Sequence, residues 1–317
     1  MKQLYSYLKP YLKWLVIGLT LFFLAHTLKV NWKEVAEVQI TRTGWGCLAL
    51  ALSVTLTAHF WSGWVWLMIL QEFNQSVGQR WGMHVYLKTN LAKYLPGNVW
   101  HFYGRINAVN GIGVSLKTAV LSVLLEPILM ASAALMIALV SVQQHYWGLQ
   151  VVSLILVMFL VHPRVLNPVV KKLSLLKMKK SRVTSLEGEE NSDWSSHRCE
   201  LERYPLKPFL GEVGFVTLRG VGFLLTMLAL APFSPQQIPL VVSAYSLAWL
   251  VGLLVPGAPG GLGVFEATTL ALLQGHFSPG ILLSVVAFYR LVSVLAETSG
   301  ALFAGIDQWF LEGRKLC

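Results

Sequence analysis

Seven apolar runs, near residues 11–28, 46–70, 117–142, 146–162, 209–232, 238–255 and 280–305, occupy about half of this 317-residue chain. A helix needs about 20 such residues to cross the hydrocarbon core of a bilayer, so the pattern predicts membrane helices rather than a soluble core. The shorter run 262–275 makes an eighth crossing, although at about 1.5 Å per residue it covers only part of the hydrocarbon. The composition agrees: 55% of residues are hydrophobic and 13% charged, and the mean hydropathy is +0.58, outside the balance of ordinary soluble domains. The expected fold is an all-α, polytopic integral membrane bundle of about eight spans.

Two proline-glycine breaks interrupt this pattern. The first is Leu95-Pro96-Gly97-Asn98-Val99-Trp100 and the second runs from Val255-Pro256-Gly257 through Ala258-Pro259-Gly260-Gly261-Leu262-Gly263. Backbone that leaves the helix at membrane depth exposes N–H and C=O groups, which only protein or a water-filled cavity can satisfy. Paired interruptions in the two halves of a chain mark where a transporter holds its substrate. Re-entrant or broken helices are therefore expected at 81–116 and 255–275.

Charge gives the orientation. Arg164, Lys171, Lys172, Lys177, Lys179, Lys180 and Arg182 crowd the segment 163–207, whereas the connections near 143–146, 233–237 and 274–279 hold no Lys or Arg. By the positive-inside rule the basic segment is cytoplasmic. With Lys2, Lys9 and Lys13 at one end and Arg314-Lys315 at the other, both termini are expected to be cytoplasmic too. The first span is expected to be retained, since no small-residue cleavage site follows it. The polar stretch 185–193 reads as a linker without a core. The chain is thus one transmembrane domain over 1–317, with halves 1–162 and 208–317 joined by the loop 163–207. One break falls in each half, as internal duplication of either sense would produce.

The 25 Lys and Arg against 15 Asp and Glu give a formal charge of +10, which suits basic loops on an anionic leaflet rather than nucleic-acid binding. Cys47, Cys199 and Cys317 are single and far apart, so no disulfide framework or metal spacing arises. His59, His84 and His101 lack the spacing of a metal site, and the second break lacks the Gly-Lys-Ser/Thr of a nucleotide loop. No catalytic residue, metal or cofactor is assigned, and the chain is not expected to be an enzyme.

Ionisable residues at membrane depth carry the remaining signal: Arg105, Glu126, Glu212, Arg219, Glu266, Arg290 and Glu297. Each costs at least ~2.5–3.5 kcal/mol near the bilayer centre unless it pairs, meets water or serves a function. Interhelical pairs such as Glu126 with Arg105 and Glu266 with Arg290 would neutralise them, either to fix helix register or to contact a charged substrate. Glu212 with Arg219, and Arg290 with Glu297, are spaced to line a polar stripe. Pro127 frees the Val123 carbonyl beside Glu126, giving either a polar notch or an ordinary kink. The glycines of the second break either open a helix N-terminus to an anion or permit close helix crossing.

These residues together resemble a known family. Asn90, Leu95-Pro96-Gly97, Gly104-Arg105, Gly111, Lys117 and Glu126, followed by Pro259-Gly260-Gly261-Leu262-Gly263-Val264-Phe265-Glu266, Arg290 and Gly300, are similar in order and spacing to the transmembrane region of lysylphosphatidylglycerol synthases and its stand-alone, flippase-like relatives. Phe265 stands where many relatives carry an Arg. These 317 residues hold no counterpart of the aminoacyltransferase domain of the bifunctional members, so the resemblance does not imply synthase activity. The resemblance implies a lipid flippase or transporter for a phosphate-bearing amphiphile, with Asn90, Pro96, Gly97, Arg105, Glu126, Gly260, Gly261, Gly263, Glu266 and Arg290 around the substrate and Arg105 and Arg290 countering its phosphate. The expected partners are anionic or lipid-linked membrane lipids, with a second copy of the chain or a lipid-modifying enzyme as the protein partner. The alternative is a non-transporting scaffold for a lipid-modifying or glycosyl-transferring enzyme.

The orientation is directly testable. A cysteine-labelling scan with a membrane-impermeant reagent should leave positions 164–182 unlabelled in intact cells and label them once the membrane is opened; labelling in intact cells would reverse the topology.

Overall fold

The computed structural model describes residues 25–37, 39–95, 99–141, 204–255 and 258–313, with a few positions between 152 and 168. All regular structure among them is helical. In chain order the helices are α1 (Trp32–Glu37), α2 (Arg42–Glu72), α3 (Gln79–Asn90), α4 (Trp100–Gly111), α5 (Leu116–Ser141), α6 (Leu206–Leu230), α7 (Ile238–Leu254), α8 (Val264–Leu273) and α9 (Pro279–Gly313), with 3-10 turns at Leu91–Tyr94, Pro235–Gln237 and Pro259–Gly261.

Five helices, α2, α5, α6, α7 with its preceding turn, and α9, are long and apolar enough to cross a membrane. They correspond to the runs 46–70, 117–142, 209–232, 238–255 and 280–305. Only five of about eight expected crossings are therefore found among the described residues. Run 262–275 becomes the ten-residue helix α8, about 15 Å long, while most of 11–28 and 146–162, and most of the loop 163–207, lie outside the described residues. Between 39% and 50% of the most apolar window of each long helix is buried, so the rest is at least partly exposed. Exposed Leu210, Leu302, Phe303 and Ile306 lie on those outer faces. Exposed apolar side chains along several long helices are compatible with a hydrocarbon surrounding.

The first break also has a structural counterpart. Helices α3 and α4, of 12 residues each, are about 18 Å long, too short to cross singly, and are joined by the turn Leu91–Tyr94 and the segment that follows it. Pro96 and Gly97, like Pro256 and Gly257, lie outside the described residues.

Helix α2 is the spine. Thr41 caps it by accepting a hydrogen bond from the Gly44 amide at 3.1 Å, satisfying one of the orphan donors of the first turn. Along its length α2 packs most extensively on α6, while α5 packs on α7 and α9 runs beside α2 and α3. Helix α8 lies between α7 and α9. One core therefore joins both halves: Val65, Ile69, Leu125 and Leu129 meet Phe209, Phe223, Tyr245 and Tyr289. Its aromatic centre is edge-to-face, with Phe223 against Tyr289 at 5.3 Å and Tyr245 against Tyr289 at 5.8 Å between ring centroids, the geometry that ring quadrupoles favour.

Small residues let α2 and α6 approach. A Cβ on Gly44 would fall 2.6 Å from the Ala229 carbonyl oxygen, a backbone atom that cannot swing aside. Gly44→Ala should therefore force the helices apart and cost about 1–3 kcal/mol, read as a lowered melting temperature of the purified protein; an unchanged melting temperature would show that α2 and α6 separate freely there.

Candidate functional site

A cavity of about 300 Å³ opens between the N-terminal flank of the first break and the second break. Its wall includes Asn90 at the end of α3, Lys93 and Tyr94 from the turn before the first break, Arg105 and Glu126 beyond it, Gly260 and Gly261 from the second, and Arg290 and Glu297 from α9. The turn before the first break touches the second through Tyr94, whose ring lies so close to Gly260 that a Cβ there would stand 3.1 Å from it. The flanks of both interruptions thus share one polar space.

The second break is built around Arg290. Gly260, Gly261 and Gly263 all have positive φ, at 58°, 71° and 84°, a region costly for residues with a Cβ. This turns the Gly260 and Gly261 carbonyls toward α9, where Arg290 donates from Nη1 and Nη2 at 2.7 and 3.0 Å. Its Nε donates to Glu266 at 2.5 Å, and the guanidinium sits over the Phe265 ring at 5.1 Å. Glu266 occupies the first turn of α8, where its charge complements the helix dipole. The close approach of this turn to α7 also needs glycine, since a Cβ on Gly261 would lie 3.2 Å from the Gly252 carbonyl oxygen.

Next to the first break lies an ion pair with the charges exchanged. Arg105 on α4 forms a short ion pair with Glu126 on α5, both only 2% exposed. Tyr86 donates to the other Glu126 oxygen at 2.7 Å, and Ser62 is 2.5 Å from the Tyr86 hydroxyl. The Arg105 guanidinium lies 3.8 Å from the Tyr86 ring centroid. In each half, then, a short helix after the break holds one member of a pair and the next long helix holds the other: Arg105 with Glu126, Glu266 with Arg290.

A third cluster escapes the sequence analysis. Lys93 donates to Glu297 at 2.6 Å, and His59 Nε2 lies 3.2 Å from the same Glu297 oxygen. This joins the turn after α3 to α2 and α9. The positions of Lys93 beside a break and of Glu297 two turns from Arg290 were the available signals, but their convergence with His59 depends on tertiary packing. Of the anticipated stripes, Arg290 and Glu297 both reach the cavity wall, as does Arg219, whereas Glu212 does not. Glu212 is fully buried and neither of its carboxyl oxygens has a hydrogen-bond partner among the described residues.

Of the sequence-predicted site residues, Asn90, Arg105, Glu126, Gly260, Gly261 and Arg290 line the cavity; Glu266 reaches it through Arg290, and Gly263 caps α8 behind the turn. Among the described residues, no group of three or more His, Cys, Asp or Glu side chains is placed to hold a metal.

The burial of the Arg105–Glu126 pair sets an expectation. Arg105→Met alone strands the carboxylate and should cost about 3–5 kcal/mol, whereas adding Glu126→Leu should recover most of it, because apolar replacements of a complete buried pair are close to neutral. Thermal unfolding of the single and double variants measures this; a double variant no more stable than the single one would show that the pair is not the unit. Against known proteins, the chain matches no family model and no protein of curated function, so the likeness to the lysylphosphatidylglycerol synthase membrane region rests on the motif residues alone.

Proposed function

We propose that this protein is a non-enzymatic lipid translocase of a prokaryotic inner membrane, moving a phosphate-bearing lipid or similar amphiphile through the cavity between its two breaks. The observation that carries this is a cavity with charged side chains on its wall, inside a helical bundle with exposed apolar side chains on its outer faces. A volume of about 300 Å³ is at the lower end for small-ligand sites, so it suits a headgroup whose acyl chains stay in the surrounding lipid. Exposed Leu95, Val99, Trp100 and Tyr103 flank the first break and supply an apolar rim along which chains can lie.

In this scheme α3–α4 and the turn into α8 are re-entrant elements, and with the segments 11–28 and 146–162 they complete a bundle of about eight crossings with both termini cytoplasmic. The motif likeness to flippase-like proteins favours the same activity. A scaffold for a lipid-modifying enzyme would not need a cavity joining both breaks, so the cavity weighs against that alternative.

Reconstitution into vesicles with a panel of fluorescent lipids tests the proposal. Protein should accelerate the transbilayer movement of at least one phosphate-bearing lipid above protein-free vesicles, read as loss of protection from an external quencher. No acceleration for any lipid of the panel would reject the translocase and favour the scaffold.

A further inference from the structure

Four cations stand on the cavity wall, and three are already matched. Arg105 is taken by Glu126, Lys93 by Glu297, and Arg290 by Glu266 and two backbone carbonyls. Arg219 is different. It lies on the cavity wall and is only 6% exposed, yet among the described residues no carboxylate approaches within 4.0 Å of it. Its Nη2 donates to the Ser293 hydroxyl at 3.1 Å, while Nη1 is buried with no hydrogen-bond partner. The guanidinium is held over the Tyr289 ring at 5.0 Å.

A buried guanidinium with an unused donor is expensive, and a ligand anion would offset that cost by a charge-assisted hydrogen bond. The surroundings favour such a ligand. The Tyr289 and Tyr245 hydroxyls bond each other at 3.0 Å, which uses one of their two hydrogens and leaves the other for a third acceptor. Ser293 is not a competing anion: its hydroxyl donates to the Tyr289 carbonyl at 2.7 Å and only accepts from Arg219. The ring beneath the guanidinium fixes its plane without neutralising it.

We propose that Arg219 is the anion receptor of this cavity, holding one phosphate oxygen through Nη1, and that the wall, with one cation beyond its paired charges, is matched to a phosphodiester carrying a single negative charge. This rests on the proposal that the cavity receives a lipid headgroup, and it moves the phosphate contact from Arg105 and Arg290, whose guanidinium groups are engaged, to a residue outside both breaks. Arg219 faces the cavity from α6, in the half opposite the first break.

Binding and transport measured separately test it. Native mass spectrometry of the purified full-length chain in detergent, titrated with short-chain phosphatidylglycerol, should show one bound lipid, and the matching diacylglycerol without phosphate should bind at least about tenfold more weakly. Arg219→Gln should weaken phosphatidylglycerol about ten- to a hundredfold toward the diacylglycerol level, with Arg219→Lys between the two. Inorganic phosphate in competition separates the sources: displacement supports the Arg219 contact with free phosphate, and failure to displace supports it with the lipid headgroup. Folded Arg219→Gln protein that binds phosphatidylglycerol like the wild type overturns the proposal. If that variant does not fold, the wild-type contrast decides alone, and diacylglycerol binding as tightly as phosphatidylglycerol overturns it. Arg219-dependent binding without vesicle transport would reject the translocase but leave the anion site; transport unaffected in Arg219→Gln would do the reverse.

Discussion

Carbonyls released at a helix break cannot be left facing hydrocarbon, and at Gly260 and Gly261 they are taken up by two nitrogens of Arg290 while its third holds Glu266. Much else follows from that one guanidinium. It fixes the angle at which α8 leaves the break, because Glu266 is in the first turn of α8 and Arg290 is on α9. It also keeps open the space beside the break, since a side chain bonded to backbone on one side cannot collapse across the cavity. Breaking the helix and building a polar cavity are thus one structural decision: the donor that repairs the backbone is itself part of the wall.

The first break reaches a comparable arrangement by different means. There the pair is sealed more deeply, with Tyr86 and Ser62 completing the coordination of Glu126. The exchange of charge between the halves, cation before anion in the first and anion before cation in the second, places opposite charges on corresponding elements. A cavity bounded by two such units has its charges balanced in pairs rather than segregated to one side. Polar contacts also cross between the halves: the Lys93–Glu297 bond ties the turn before the first break to the last long helix, and Trp61 on α2 donates to the Gly211 carbonyl of α6 at 2.7 Å.

The long helices were legible because apolar length is a property of contiguous sequence. The limits of α9 were not: it continues to Gly313, beyond the apolar run ending near 305, because its polar last turns are held by α3, where His84 meets Asp307 at 2.7 Å and Lys88 bonds Gln308. Such contacts cross more than two hundred residues and leave no periodic trace. Pairing of Glu126 with Arg105 and of Glu266 with Arg290 could be inferred, since an ionisable residue at membrane depth needs an opposite charge and each had one nearby in sequence. His59 carries no sign of its carboxylate partner in the sequence, because Glu297 is on the other half of the chain. Likewise the spacing of Glu212 and Arg219 marked both as facing the same way, but only the packing of α6 decides that Arg219 reaches the cavity while Glu212 remains in the interior.

If the cavity moves a charged headgroup, as proposed, it must admit that group without holding it. If every cation on this wall were unmatched, a phosphate would gain several charge-assisted contacts at once, each worth ~1.5–3 kcal/mol, and its release would become slow. Pairing Arg105, Arg290 and Lys93 with carboxylates removes most of that attraction while keeping the wall polar enough to replace water around the headgroup. A single unmatched guanidinium then provides discrimination of about one contact, ten- to a hundredfold, without a deep trap. Under the proposed translocase the paired charges would set the depth of the well as well as the shape of the cavity, and the carboxylates on the wall would be what lets an anionic cargo leave.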